Sequence, residues 1–418
     1  MKKRALLFVL CALTAAFGCL NPAAACTSAV VSGKVTPDGR PLLWKNRDTD
    51  YLRNHVAYVK GEKYDFIADV NSDNFPGLKE AWIGTNSAGF ALMNTQSYNL
   101  VDVKEGEERG AANGRIIYRA LEVCATVEEF RHFLDTIAKP SLIEANFGVI
   151  DARGGAAMFE VDYHRYVMYD ANDPKDAPHG YIARTNFSLT GEVNQGAGYV
   201  RYMEAEQVLM KASATGGITP QGIFNDLSRS FHNCMLDIDL KSGDYNRPKA
   251  SGWFVDQDFI SRNSTSCSVV VQGVKPGENA ELTTMWALLG YPPTGVALPL
   301  WVKDASRLLP SMVCFSKADA AAPLSASSLR LAGRVFCYHQ GMGTDRYLNW
   351  ERLYSPSKGD GYMTRLAPVE AEVFRRTMPL LEGWRAQGGI DVKEMQRLYQ
   401  ELAEPIMSAY KQLVEEGW

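Results

Sequence analysis

Three alanines and a cysteine follow an uncharged apolar stretch near the amino end, and this junction constrains the fold more than any other feature. A basic head at residues 2–4 precedes the 16-residue stretch Ala5–Leu20, and Ala23–Ala25 has the small side chains at which export signals are cut. Removing 25 residues from 418 leaves 393 and makes Cys26 the first residue. The sequence therefore predicts a signal peptide over 1–25 and an exported protein, periplasmic or extracellular.

A second interpretation places the cut before Cys19, whose thiol would then carry a lipid. Ala16 stands where a lipoprotein signal usually has a larger aliphatic side chain, so this alternative is the less favoured one. Cys26 would then lie inside the chain, and the protein would be a non-catalytic surface lipoprotein. No apolar run reaches the about 20 residues that cross a bilayer, so no stable membrane span is expected.

A cysteine that begins a mature chain carries a base on its own Cα. An amide is attacked by a thiolate rather than a thiol, so such a cysteine needs a base or a cation nearby. An α-amine has an ordinary pKa of about 7.7 to 8.0, so part of it is neutral near pH 7 and can take the thiol proton. Cys26 is the candidate nucleophile, although it could also be an ordinary cysteine beside a cleavage site.

The other cysteines of the mature chain show no paired spacing. Their long and irregular separations differ from those of a zinc site or a disulfide-dense mini-protein. We expect thiols in the core at Cys124, Cys234, Cys267, Cys314 and Cys337.

A predicted β-hairpin follows Cys26 and returns charged side chains towards it. Thr27–Gly33 is short and apolar, 37–39 is a Pro-Asp-Gly turn, and a second strand begins at Leu42. That strand ends in Lys45-Asn46-Arg47-Asp48, where the carboxylate could bind a protonated α-amine and a basic side chain could favour the thiolate. The same charges could form a surface ion pair of little energetic value.

Seven segments between about Cys26 and Pro293 carry a resemblance to a known family: Cys26–Ser28, Lys45–Asp48, Gly84–Asn94, Arg184–Phe187, Tyr199–Tyr202, Ser264–Val270 and Thr283–Trp286. Their order resembles that of the N-terminal nucleophile (Ntn) hydrolases, which include choloylglycine hydrolases, penicillin V acylases and acyl-CoA:6-aminopenicillanic acid acyltransferases. The resemblance implies an α+β fold, a four-layer αββα sandwich.

This resemblance also implies the catalytic residues on the first hairpin. Cys26 matches the nucleophile and Asp48 the acid that would orient its amine. Lys45 stands where the family usually has an arginine, so it keeps the positive charge but lacks the planar fork, and its task is open.

Three further site residues follow from the later segments. Asn94 matches the oxyanion-hole asparagine, Asn186 the second functional asparagine and Arg201 the late arginine at a helix start. Each has a structural alternative: a strand end for Asn94, loop capping for Asn186 and a solvated helix surface for Arg201.

Periodicity supports mixed helices and hairpins within residues 26–298, which we interpret as the catalytic domain. Helical spacing over 116–124, a capping box that begins at Thr126 and a hairpin over 146–162 carry this interpretation. The resemblance does not account for residues 299–418, for which we predict a largely helical carboxy-terminal extension. In this extension the Ala- and Ser-rich stretch 319–328 predicts an exposed linker.

Composition and motifs exclude several classes of partner. The 44 basic and 48 acidic residues give a charge of −4, which provides no electrostatic footprint for nucleic acid. The six histidines lack metal-ligand spacing and no nucleotide-binding loop is complete, so we expect neither metal nor cofactor.

The predicted partner is a small-molecule amide, and a homo-oligomer is left open. The predicted activity is hydrolysis of linear non-peptide or short-peptide amides through an acyl-enzyme on Cys26. Transfer of the acyl group to an amine at the same site is the alternative.

Overall fold

The chain is described by a computed structural model over residues 25–100, 112–242, 252–255, 258–338, 346–355 and 358–416. Residues 1–24 of the predicted signal peptide, with Cys19, lie outside these ranges.

The strands are numbered in chain order and fall mostly in two antiparallel sheets. They are β1 (Thr27–Val31), β2 (Leu42–Asp48), β3 (Asn54–Val59), β4 (Phe66–Asn71), β5 (Ile83–Asn86), β6 (Ala91–Gln96), β7 (Ala145–Ile150), β8 (Ala156–Val161), β9 (Tyr166–Asp170), β10 (Tyr181–Arg184), β11 (His232–Asn233), β12 (Ile238–Asp239), β13 (Trp253–Val255), β14 (Thr265–Gln272), β15 (Thr284–Leu289), β16 (Ala297–Leu300), β17 (Phe336–Tyr338) and β18 (Arg346–Asn349).

One large sheet has six strands in the order β10-β1-β2-β14-β15-β16, and the other has seven in the order β3-β4-β5-β6-β7-β8-β9. Two small sheets, β11-β12 and β13-β18-β17, accompany them. The seven-stranded sheet follows chain order, and its strands are antiparallel neighbours. Helices α1 and α2 lie in the connection between β6 and β7. In the six-stranded sheet, β10 and β14 arrive from far along the chain and flank the first hairpin.

The helices are also numbered in chain order. They are α1 (Asn113–Val123), α2 (Val127–Thr136), α3 (Tyr199–Thr215), α4 (Pro220–Gly222), α5 (Ala305–Leu308), α6 (Pro323–Val335), α7 (Trp350–Leu353), α8 (Tyr362–Gln387) and α9 (Val392–Glu415). A π-helical turn, Ile223–Leu227, directly follows α4.

These elements form four layers. The two large sheets face each other through contacts of β1 and β2 with β6 and β7. Helix α1 packs on β5 and β6 at the outer face of the seven-stranded sheet, while α3, α6 and α8 pack on the six-stranded sheet. This arrangement confirms the predicted αββα sandwich.

Local sequence explains the elements that hold the site. The run Thr-Ser-Ala-Val-Val forms β1, all of it buried, because it lies between two strands and beneath the facing sheet. Thr126 accepts a hydrogen bond from the Glu129 main-chain nitrogen at 3.1 Å, which confirms the predicted helix cap at the start of α2.

The carboxy-terminal helices α6, α8 and α9 share one hydrophobic cluster with the six-stranded sheet. Trp286 of β15 stacks on Phe374 of α8 with ring centroids 4.3 Å apart. The boundary predicted at 298/299 lies inside β16. Among the described residues, no helix is long and apolar enough to cross a membrane.

The expected linker over 319–328 is wrong. Helix α6 begins within it at Pro323, and Ala321, Ala322 and Leu324 are buried. Proline is well tolerated at the first position of a helix, and small side chains allow close packing, so a composition that suggested exposure forms a packed helix instead.

Candidate active site

Cys26 lies directly before β1, at the place where three strand ends meet. Thr27 is opposite Asn46 of β2 on one side, and Ser28 is opposite Arg184 of β10 on the other. The Cys26 residue is 6% exposed, and its Sγ lies 3.9 Å from the main-chain oxygen of Asp48. The hairpin therefore returns β2 to the candidate nucleophile as predicted.

Both main-chain groups of Cys26 are held by side chains. Its nitrogen donates to Asn186 Oδ1 at 2.8 Å, and its oxygen accepts from Arg201 Nη1 at 2.7 Å. Arg201 also donates from Nη1 to Thr27 Oγ1 at 2.8 Å and from Nη2 to Asn186 Oδ1 at 3.0 Å. We call Asn186 and Arg201 the Cys26 clamp.

Arg201 is buried rather than solvated at its helix surface, at 2% exposure. Burial lowers the pKa of Arg201 to about 10, and Arg262 acts in the same direction while Asp48 opposes it. Gly198, at the start of α3, has a φ of 82°, and a Cβ there would clash with Arg201 Nη2. Glycine at this turn thus leaves the space that the guanidinium occupies.

The Asp48 carboxylate is bound away from the Cys26 nitrogen. Arg262 donates to Asp48 Oδ2 from Nη2 at 2.7 Å and from Nε at 3.1 Å, and Thr265 Oγ1 donates to Oδ1 at 2.5 Å. Among the described residues, no hydrogen bond joins the Asp48 side chain to the Cys26 nitrogen. The expected contact of Asp48 with that nitrogen is made by Asn186 instead, because Arg262 supplies the charge partner of the acid.

Lys45 and Asn94 meet between the two large sheets. Lys45 Nζ donates to Asn94 Oδ1 at 2.9 Å and to the Trp82 main-chain oxygen at 3.1 Å. Burial lowers the pKa of Lys45, and the neighbouring Cys26 opposes this shift. An ammonium group can only donate, so it fixes the carbonyl end of the Asn94 amide and turns Nδ2 the other way. Within the described part of the chain, Asn94 Nδ2 makes no hydrogen bond.

A buried cluster of charges adjoins Lys45 and was missed from the sequence. Arg47 lies over the Trp82 ring, with its Cζ 4.6 Å from the centroid, and donates to Asn71 Oδ1 at 2.6 Å. Its Nη1 is 3.7 Å from Asp69 Oδ2, which is also 3.5 Å from Cys267 Sγ. A charged residue within the apolar strand run Phe-Ile-Ala-Asp-Val was the available signal for this cluster.

Burial governs the titration of that cluster. It raises the pKa of Asp69 to about 6, against the opposing charge of Arg47. It also raises the pKa of the Cys267 thiol. Cys124 and Cys267 are buried as expected, whereas Cys234 and Cys314 are half-buried, and the side chain of Cys337 lies outside the described residues.

The structure thus brings all six predicted residues into one region around Cys26 and adds Arg262 and Thr265. Arg262 lies two residues before the segment Ser264–Val270, so a basic residue at the start of that strand was the signal for it. In the described ranges, no group of three or more His, Cys, Asp or Glu side chains is placed to hold a metal ion.

One protein-family model matches the part of the chain that holds most of these residues. The model of the acyl-coenzyme A:6-aminopenicillanic acid acyl-transferase family matches residues 35–211. The predicted family resemblance is confirmed over this segment. It holds Lys45, Asp48, Asn94, Asn186 and Arg201, and it begins after Cys26.

Three solved structures show a distant likeness to this chain. An N-acylethanolamine-hydrolyzing acid amidase ortholog from Caenorhabditis elegans is 14% identical, with 58% of this chain and 91% of that chain covered and a TM-score of 0.39. A variant of the conjugated bile acid hydrolase from Clostridium perfringens is 13% identical, with 66% and 93% covered and a TM-score of 0.40. Penicillin V acylase from Agrobacterium tumefaciens is 14% identical, with 66% and 86% covered and a TM-score of 0.37. No curated protein matches the chain.

Proposed function

We propose that this protein is an exported amidohydrolase that cleaves linear amide C–N bonds through an acyl-enzyme on Cys26. The observation that carries this proposal is the clamp, in which Asn186 holds the Cys26 nitrogen at 2.8 Å and Arg201 holds its oxygen at 2.7 Å. Once cleavage after Ala25 frees that nitrogen, the same contact would fix an α-amine beside its own thiol.

Acylation would begin with transfer of the thiol proton to the neutral α-amine. The sulfur attacks the amide carbonyl carbon, a C–S bond forms, and the carbonyl oxygen gains the negative charge. When the C–N bond breaks, the α-ammonium group returns its proton to the leaving amine, so the base is restored. Water then attacks the thioester, which releases a carboxylic acid and the free thiol.

The Asn94 amide supports the charge-bearing step. Lys45 binds Oδ1, so the donor Nδ2 is the end available to a developing oxyanion. In this proposal Lys45 positions Asn94, a task for which a planar fork is not needed, because one ammonium proton suffices for one carbonyl oxygen.

Acyl transfer is the second candidate, and the match to an acyl-transferase family model favours it specifically. Both reactions share the acyl-enzyme and differ in whether water or an amine attacks it. Comparison of the acid and amide products with and without an added amine distinguishes the two.

The deciding experiment identifies both the first residue of the exported protein and the residue that is acylated. We expect the intact mass of the exported protein to correspond to a chain that begins at Cys26. This protein is then incubated with bile-salt conjugates, penicillin-like amides, N-acyl amino acids and short peptides, and we expect one class to give a mass adduct. The adduct should be absent in Cys26→Ala and present in the control Cys124→Ala. The Cys124 thiol is buried in the hydrophobic cluster that α1 and α2 form with the seven-stranded sheet.

Two results would contradict the proposal. The first is an adduct that persists in Cys26→Ala, since another residue would then be the nucleophile. The second is an exported form that retains residues before Cys26, with or without a lipid on Cys19, because the base would then be missing.

A further inference from the structure

A cavity of about 600 Å³ lies beside α3, against the π-helical turn Ile223–Leu227 and the small sheet of β11 and β12. Its volume is within the range of about 300 to 1,000 Å³ that small-molecule sites occupy. Its lining includes neither Cys26 nor the side chains bonded to it. The cavity is therefore separate from the candidate active site.

The floor of the cavity is apolar. Leu209 of α3, Ile223 and Leu227 of the π-helical turn, and Phe231 line it but are each only about 1% exposed. The apolar surface open to a ligand comes from Val208 and Ala212 of α3, which are half-buried. Binding of a hydrocarbon to such a surface is favourable, because the contact removes apolar area of both the ligand and the protein from water. The apolar part of the lining therefore favours a ligand with a hydrocarbon chain.

Two of the three acidic groups in the lining have hydrogen-bond partners. Glu204 accepts from Ser230 Oγ at 2.9 Å and contacts His232 Nδ1 at 2.7 Å. Asp239 accepts from the main-chain nitrogen of Lys241 at 2.9 Å, and Asp226 lies at the exposed rim. These carboxylates leave little reason to recruit a cationic head group.

Lys241 is the more buried of the two lysines in the lining. Its Nζ makes one long hydrogen bond, of 3.3 Å, to the Asn225 main-chain oxygen, although an ammonium group has three donors. No carboxylate of the described residues lies within 4.0 Å of it. Burial lowers the pKa of Lys241, and the charges of Asp226, Asp239 and Glu204 oppose this shift without an ion pair to Nζ. An anion in direct contact with Nζ would offset more of the desolvation cost.

We propose that this cavity binds an aliphatic monocarboxylate, with its chain on the apolar floor and its carboxylate on Lys241 Nζ. The site goes beyond the proposed amide chemistry and makes no use of Cys26. Its failure and that of the proposed function are therefore distinguishable.

The test is calorimetric titration of the mature protein with decanoate. We expect saturable binding that Lys241→Met weakens at least about tenfold and Lys241→Arg retains, because a hydrogen bond to a charged group is worth about 1.5 to 3 kcal/mol and 1.4 kcal/mol is tenfold. The matched control is Lys211→Met, since Lys211 also lines the cavity but is exposed. Binding should persist in Cys26→Ala.

A second variant and a second ligand keep the result clear if Lys241→Met unfolds. Ala212 of α3 also lines the cavity and is only half-buried, so Ala212→Phe should fill the space and weaken decanoate binding without loss of the fold. Decanol, which has the same chain length but no charge, should bind at least tenfold more weakly. Absence of decanoate binding, equal binding of decanol, or affinity unchanged by both Lys241→Met and Ala212→Phe would overturn the proposal.

Discussion

Arg201 Nη1 lies 2.7 Å from the main-chain oxygen of Cys26, so a helix that starts 173 residues further along the chain fixes the candidate nucleophile. One guanidinium satisfies this oxygen, Thr27 Oγ1 and Asn186 Oδ1 together. Five donors in one rigid plane make that possible.

The Arg201 guanidinium can be tested by a substitution that keeps its charge. Arg201→Lys keeps the charge but cannot reach all three acceptors, so we expect acylation to slow about 10- to 100-fold, from the loss of about 1.5 to 3 kcal/mol. Single-turnover mass spectrometry with a substrate found in the amide panel measures the rate. Arg119→Lys, on the exposed face of α1, is the control and should act as wild type. An unchanged rate in Arg201→Lys would show that the clamp has no part in acylation.

Asn94→Ala tests the oxyanion contact. Loss of one preorganised donor should lower kcat by about 10² to 10³, because such donors act on the charge that develops in the transition state. The KM should change far less than kcat, which a general loss of packing would not produce. Lys45→Met should give part of the same fall, since it removes the hydrogen bond that orients Asn94. A rise in KM with kcat unchanged would assign Asn94 to substrate binding.

Asp69 predicts a pH-dependent stability. Its pKa is raised from 3.8 to about 6 by burial, so between these values the folded state holds a proton that the unfolded state lacks. Stability from this group is therefore present at pH 4 and lost as pH rises through 6. We expect Asp69→Asn to be more favourable relative to wild type at pH 7 than at pH 4, by about 3 kcal/mol from roughly two pKa units. Urea unfolding at both pH values measures this, and a difference independent of pH would refute it.

Substitution of Glu370 measures how strongly helix α8 stabilises the six-stranded sheet. It accepts two hydrogen bonds from Arg229, at 2.7 and 2.6 Å, and one from the Ala297 nitrogen at 2.8 Å, all buried. Glu370→Gln should reduce the free energy of unfolding by about 3 to 5 kcal/mol, because Arg229 would remain buried without its partner. Glu372→Gln, on an exposed stretch of the same helix, should change little. Equal effects of the two would separate this layer energetically from the sheet.

Local patterns in the sequence were sufficient for the hairpins and many helix ends. The first hairpin follows from a short apolar run, a Pro-Asp-Gly turn and a second strand, and the structure pairs Thr27 with Asn46 accordingly. Capping at Thr126 follows from hydroxyl and carboxylate groups three residues apart. Such features depend on neighbours in the chain, so periodicity and turn chemistry suffice to predict them.

The charge pairing within the site could not be predicted in the same way. The sequence shows the charges of Asp48 and Lys45 but not their partners. Asp48 pairs with Arg262, and Lys45 binds Asn94, because the fold brings together strands that are far apart in sequence. Arg201 had surface exposure as its default on a helix, and only the docking of α3 against β1 and β10 buries it. The roles of these residues in catalysis, the domain boundary and export stay predictions.

The contact of Asp48 with Arg262 and Thr265 spans 214 and 217 residues. Contacts of such high order form late, after the cost of closing a long loop has been met. A polypeptide truncated ahead of Arg262 therefore lacks both partners of this acid. The topology thus makes the surroundings of Cys26 depend on segments from both ends of the sandwich, so they are complete only after β14 has paired with β2.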